Sequence, residues 1–165
     1  MYNPVSSSTK TRAGISIIEI IVVIAVMSIA LASLLVSASL ALKLSVINKE
    51  TTQANELAQE TIEAVRSFRN GTTWAIDGIG TLATDPDCYH PEIIVGSPSN
   101  WSLVSGEETI GIFKREIVFS RVFRDTNDNI SETGSEDSGT RKVTVIVSWE
   151  DRKTEIVTYL TNWKQ

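Results

Sequence analysis

Three places in the chain carry side chains that could do chemistry, and each asks for something different. The stretch "DCYH" (Asp87 to His90) sets the only thiol, Cys88, two residues from the only imidazole, His90. A cysteine nucleophile needs a positioned base, and the base needs an orienting group; no third group stands beside this pair in its Gly/Pro-rich surroundings. The stretch "DTNDNISETGSE" (Asp125 to Glu136) places Asp125, Asn127, Asn129 and Glu136 at the first, third, fifth and twelfth positions of a calcium loop of the EF-hand type. Ile130 stands where that loop wants glycine, and the flanks read as strands where the motif has helices. If calcium binds, a looser oxygen site of Asp125, Asn127 and Asp128 is the expectation; the plainer reading is an acidic loop joining two strands. Third, Glu19 is the only charged residue in the 28-residue run from Ile15 to Leu42. A carboxylate in hydrocarbon costs about 2–4 kcal/mol on insertion scales, so a matching partner is expected.

Elsewhere no phosphate-cradling glycine loop, Ser-His-Asp arrangement or zinc spacing occurs, and one histidine excludes a multi-histidine metal site within one chain. The expectation is a protein that is not an enzyme and has no cofactor other than calcium. Removing Lys10, Arg12 and Glu19 from the chain's 15 basic and 20 acidic residues leaves 13 and 19 from Lys43 onward, a net charge of −6. That balance argues against a nucleic-acid surface. With a single cysteine, no intrachain disulfide can form, so the exported part must be held by packing.

Several elements must position these groups. Ile20 to Leu42 is 23 uncharged residues, roughly 35 Å of helix at 1.5 Å per residue, enough to span a bilayer. Lys10 and Arg12 precede it and Lys43 alone follows, which places the N-terminus on the cytoplasmic side and the remainder outside. The apolar run is too long for a secretory signal peptide. The small residues Ala25, Ser28, Ala32 and Ser33 would let another helix approach. Beyond Lys43 the apolar positions Leu44, Ile47, Ala54, Leu57, Ala58, Ile62, Val65 and Phe68 recur at helical spacing, with charges between them. No Gly or Pro interrupts Ile15 to Asn70, and Asn70-Gly71 is a stop signal, so one helix of about 55 residues, some 80 Å, is expected.

Gly71 to Glu108 reads as a long irregular connection with short strands at Glu92–Val95 and Trp101–Val104, and with Trp74 and Trp101 as satellite core. Three better strands follow. Ile112 to Arg124 sets Ile117, Phe119 and Phe123 on one face and Val118 and Val122 on the other. Lys142 to Trp149 alternates with Val143, Val145, Val147 and Trp149 on one face. Thr154 to Trp163 returns after a Glu150–Lys153 turn, forming an antiparallel hairpin. A meander of three or four strands with one apolar face needs a cover, and the second half of the helix supplies it. The fold class expected is α+β, divided into 1–14, 15–42, 43–70 and 71–165.

Gly14 followed by "ISIIEIIVVIAV" resembles the N-terminal signal of type IV pilins and pseudopilins: a short basic leader ending in Gly, then an apolar helix with Glu as its fifth residue. The stretch "LAQETIEAVR" (Leu57 to Arg66) and the closing "VTYLTNW" are similar to minor pilins. The resemblance implies that residues 1–14 are a leader, cut between Gly14 and Ile15 by a prepilin peptidase, and that the new amine of Ile15 is methylated. It also implies that Glu19 neutralises the Ile15 amine of a neighbouring subunit during assembly, and that Glu56 and Glu60 are available to meet neighbours. The implied partners are the prepilin peptidase, other pilin subunits, an inner-membrane platform protein and an assembly ATPase. The implied locations are the cytoplasmic membrane, then an extracellular or periplasmic filament. Two positions depart from the family: Ile15 stands where Phe is usual, and Val36 where many major pilins have a kinking proline, so a straight helix is expected. Within the family, a pseudopilin of type II secretion or of DNA uptake is the alternative to a minor pilin. From another class, the alternative is an uncleaved single-pass protein with an exported calcium- or ligand-binding domain.

Overall fold

The structure, a computed structural model, describes residues 14–95 and 100–163. The leader expected at 1–14, with Lys10 and Arg12, therefore lies outside the described residues except for Gly14. The chain divides into two units, residues 1–47 and 48–165.

One helix, α1 (Ile17–Gly71), runs through both stretches of sequence, as the absence of Gly and Pro requires. In the first unit its side chains are exposed, from Ile17 at 78 % to Leu44 at 49 %. Leu44 was expected on the stripe that covers the sheet, but it belongs with these exposed positions. In the second unit the apolar residues narrow to one face, and Ala54, Ala58, Thr61, Ile62, Ala64 and Val65 are buried. The helix ends where Gly71 follows Arg69 and Asn70; the Thr72 hydroxyl donates to the Phe68 carbonyl (2.7 Å), satisfying one of the last acceptors.

The rest of the second unit is a seven-stranded antiparallel sheet. In chain order the strands are β1 (Cys88–Ile94), β2 (Asn100–Ser105), β3 (Glu108–Ile110), β4 (Phe113–Arg124), β5 (Ile130–Ser131), β6 (Ser135–Trp149) and β7 (Arg152–Thr161). Spatially they run β2-β1-β4-β6-β7, with the short β3 and β5 also pairing β4. A single 3-10 turn, Ile79–Thr81, lies between α1 and β1. The fold is thus α+β as expected, with more strand than the expected three or four. The short strands expected at Glu92–Val95 and Trp101–Val104 are present as the longer β1 and β2, β3 is additional, and β6 starts at Ser135, seven residues before Lys142.

Alternation fixes which face is covered. Phe113, Ile117 and Phe119 of β4 and Val143, Val145, Val147 and Trp149 of β6 point to one face and are buried there with Leu160 of β7. They form one cluster with Ala54, Ala58, Ile62 and Val65 of α1, Ile79 and Tyr89. Burying each of the larger aliphatic or aromatic side chains stabilises by about 1.5–3 kcal/mol. Tyr89 meets Phe119 edge-on with ring centroids 5.7 Å apart, and its hydroxyl accepts from Ala83 N–H at 3.0 Å. Trp74 packs against the cluster as expected, whereas Trp101, half-buried in β2, does not join it.

One reading of strand faces changes. A bulge between Arg121 and Phe123 shifts β4 by one residue, so Val122 is buried and Phe123 only half-buried, the reverse of simple alternation. In β7 Leu160 is buried and Ile156 half-buried on the covered face, with Val157 and Tyr159 each 44 % exposed. The β6–β7 hairpin turns on Glu150 and Asp151 alone, with Glu150 at φ 48°.

A charge enters the covered face. Arg115 of β4 is only 4 % exposed. Its Nε donates to Glu108 Oε2 (3.0 Å), its Nη2 donates to the same oxygen, and its Nη1 reaches Thr61 Oγ1 (3.4 Å) and lies 3.6 Å from Glu60 Oε1. One guanidinium thereby ties β3, β4 and α1 together. At the β7 edge of the covered face, Arg152 donates to Glu50 (3.2 Å) and Thr154 to Asn55 (2.8 Å).

Ala58 is fully buried in the cluster between α1 and the sheet. Ala58→Leu is expected to destabilise the second unit by about 1–3 kcal/mol through overpacking. Denaturant unfolding followed by tryptophan fluorescence measures this, and an unchanged midpoint would contradict close packing at this position.

Candidate functional site

The chemistry expected of the N-terminal segment depends on Gly14, Ile15 and Glu19. Gly14, Ile15 and Ser16 precede α1 without regular secondary structure, with nothing within 4 Å of a Cβ built on Gly14. The Ser16 carbonyl accepts from the N–H groups of Glu19 (3.0 Å) and Ile20 (3.3 Å), which starts the helix. Glu19 sits in the first turn, where a negative charge is favoured by the exposed N–H groups. Its side chain is exposed and, among the described residues, has no cation within ion-pair distance. Ile15 and Glu19 line one shallow depression together with Ile20, Val23 and Ile24, so the carboxylate and the residue at the expected new terminus share a surface.

Among the described residues α1 is the one helix long and apolar enough to cross a membrane. Lipid requires that polar groups be satisfied within the segment. The Ser28 hydroxyl donates to the Ile24 carbonyl (2.7 Å) and the Ser33 hydroxyl to Ala30 (2.8 Å), whereas Glu19 is the one charged group of the run.

The loop expected to offer calcium ligands is built around its own backbone. Asp125 Oδ1 accepts from the N–H groups of Asn127 (2.8 Å) and Asn129 (2.9 Å), and Oδ2 accepts from the Asn129 side-chain amide (3.3 Å). The backbone closes the same loop, with Asp125 N–H donating to Asn129 (2.9 Å) and Asp128 N–H donating to Asp125 (3.1 Å). Asp128 adopts φ 65°, a conformation Asp tolerates well. Arg124 crosses the loop: Nη1 donates to the Asp128 carbonyl (2.8 Å), and Nε donates to Asp137 Oδ2 (2.7 Å) while lying 3.6 Å from Asp128 Oδ1. A divalent cation held by Asp125, Asn127 and Asp128 would have to displace N–H donors and sit beside a guanidinium. Glu136, the twelfth position of the motif, lies on β6 beside Arg121 (3.6 Å) and Arg141 (3.9 Å). Among the described residues no group of three or more His, Cys, Asp or Glu side chains is placed to share a metal ion. Gly134 completes the turn: at φ 143° its Cα approaches the Arg124 carbonyl so closely that a Cβ would overlap it.

Cys88 and His90 point to the same face of β1. The Cys88 thiol is pushed up by burial and then by the negative charges of Glu116 and Glu107, the opposite of what a nucleophile requires. His90 Nδ1 is held 3.0 Å from the Gly106 carbonyl. The Arg115 cluster went unread in the sequence, although an arginine two residues from both Phe113 and Ile117 in an alternating strand signals an inward charge.

No protein-family model, curated protein or solved structure matches the chain.

The Arg124 hydrogen bond, followed by one from Thr140, holds the Asp137 carboxyl below its usual range; the Asn129 and Asn127 N–H groups do the same for Asp125. A depressed folded-state value means that the unfolded chain binds the proton more readily. The stabilisation is therefore present above the unfolded Asp value of about 3.9 and is lost as pH falls through the lower folded value. The melting temperature of the full chain in detergent is expected to drop on going from about pH 5 to about pH 3. Asp137→Asn should melt lower at neutral pH and lose less on acidification; parallel pH profiles for the two proteins would remove Asp137 from the account.

Proposed function

We propose that this protein is a structural, non-enzymatic subunit of a type IV pilus-like filament, in the position of a minor pilin. In this reading the chain enters the cytoplasmic membrane through α1 with its N-terminus inside. A prepilin peptidase cuts it between Gly14 and Ile15, and the Ile15 amine is methylated. The mature subunit then passes from lipid into a bundle of like helices, drawn by a platform protein and an assembly ATPase. The sheet unit faces outward on an extracellular or periplasmic filament.

The observation that carries this reading is a lone unpaired carboxylate, Glu19, four residues past Ile15 in a fully exposed apolar helix. An isolated carboxylate and an isolated amine are each costly in hydrocarbon, and together they cost far less. Pairing Glu19 with the Ile15 amine of a neighbour would reward one axial register between helices and penalise others. The apolar side chains from Ile17 to Leu42, exposed in a single chain, would be buried against lipid first and against other subunits later.

Intact mass of the protein from its native membrane tests the processing step. A chain beginning at Ile15, with one added methyl group, is expected; a full-length mass in cells with an active prepilin peptidase would overturn the reading. Glu19→Ala tests the pairing. The variant should be cleaved and membrane-bound at normal levels but at least tenfold depleted from sheared filaments, on the scale of about 1.4 kcal/mol or more per subunit contact. Normal incorporation would rule out the pairing role.

A further inference from the structure

At the carbonyl end of α1 the residues from Arg69 to Trp74 and from Thr161 to Trp163 enclose a cavity of about 330 Å³. That is the lower end of the range for small-molecule sites, roughly 300–1,000 Å³. It lies far along the chain from Glu19 and has no part in the filament reading. From this cavity we infer a binding site for an anionic sugar, a pyranose carrying a carboxylate.

Four side chains make the case. Arg69 forms none of the ion pairs found among the described residues; its Nε and Nη2 rest on the Asn70 amide oxygen at 3.2 and 3.1 Å. With its Nε/Nη2 edge on Asn70, this half-buried guanidinium keeps its Nη1/Nη2 end, two parallel N–H groups, for an acid. Trp74 is a fixed platform: its Nε1 donates to the Ser138 carbonyl (3.1 Å), and Gly80 packs so closely that a Cβ there would lie 2.6 Å from the ring. Trp163, 62 % exposed, lines the same cavity. Asn162 is half-buried, and only its backbone N–H is engaged, to the Gly139 carbonyl (2.8 Å), which leaves the side-chain amide for a hydroxyl.

The chemistry of these groups converges on one ligand class. The negative faces of indole rings attract the weakly positive C–H face of a pyranose, an aromatic already held in place loses little freedom on binding, and an amide suits vicinal hydroxyls. The guanidinium selects an acid. Against it stands the negative end of the α1 dipole, about half a charge; with the Phe68 carbonyl capped by Thr72, the full charge of Arg69 is the larger effect.

The test uses the full chain in a zwitterionic detergent without a sugar headgroup, titrated with D-glucuronate and, separately, with D-glucose, and followed by saturation-transfer NMR and tryptophan fluorescence. Saturable glucuronate binding in the millimolar range is expected, with glucose at least tenfold weaker. Arg69→Gln should weaken glucuronate at least tenfold while leaving the melting temperature unchanged. If Arg69→Gln melts lower, Trp163→Ala decides instead, since its exposed ring can be removed without touching the core. No saturable binding, equal binding of the two sugars, or full binding by the deciding variant would each overturn the site. None of these outcomes bears on the mass or filament tests, so the two readings fail separately.

Discussion

The sheet unit depends on the burial of one face of β4 and β6 beneath a strip of α1 whose residues are mostly small. Phe119, Ile117, Val143, Val145 and Val147 are all fully buried, and the helix meets them with Ala54, Ala58, Ile62 and Val65. Bulk is supplied by the sheet and proximity by the helix. Alanine at two successive turns leaves room at the helix surface for the bulky side chains of the sheet, and places the cost of any added methylene directly on the interface. With one cysteine and no disulfide, this interface is the principal source of stability for the unit.

Arg115 puts a charge into that interface and extends the same principle. A guanidinium in an apolar interface loses several kcal/mol of hydration, which only charge-assisted hydrogen bonds can offset. Glu108 takes two of its N–H groups, Thr61 one, and Glu60 adds its field. Because these partners come from β3 and α1, the charge is tolerable only when both elements are in place. The short β3, which is too small to bury much apolar surface, is held largely through its carboxylate. At the opposite end of the sheet Arg124 plays a comparable part in a wetter setting, where it joins the β4 end to Asp137 and the Asp128 carbonyl.

What could be read from the residues divides along physical lines. Alternation in β6 was visible because its apolar residues occupy every second place from Val143 to Trp149 without interruption. The helix was visible because nothing in 55 residues breaks it. The β1–β2 hairpin was legible only as two short strands, because Pro91 obscures the first half of β1 and suits an edge or a loop equally well. The first half of β6, "SEDSGTR", carries no apolar signal, since it is held by backbone pairing to β4 and β7. The bulge at Val122 is a shift of one residue, which periodicity cannot locate. The Asp125 loop shows a deeper ambiguity: the same Asp and Asn side chains that ligate a cation also accept and donate in tight turns, and their spacing is compatible with both. Glu19 was legible because a single charge in an apolar run has no local explanation.

One continuous helix has to meet two solvents. Up to Leu42 its side chains are mostly apolar and exposed, and Ser28 and Ser33 return their hydroxyls to the helix backbone, so hydrocarbon can surround it; from Asn48 onward its stripe is complementary to a sheet. A purely apolar first half would be content in lipid and would have no preferred register against other helices, because dispersion contacts between branched side chains are nearly indifferent to sliding. A carboxylate changes that energy surface. Its partner must come from outside the helix, and the penalty for missing the partner is several times larger than the loss of any one methyl contact. Placing the charge one turn inside the start of α1 keeps that penalty small while the segment lies near the membrane edge. In the filament role proposed for the chain, the same placement would make the charge decisive once the helix is enclosed by others, so a device for choosing axial position would cost little before assembly.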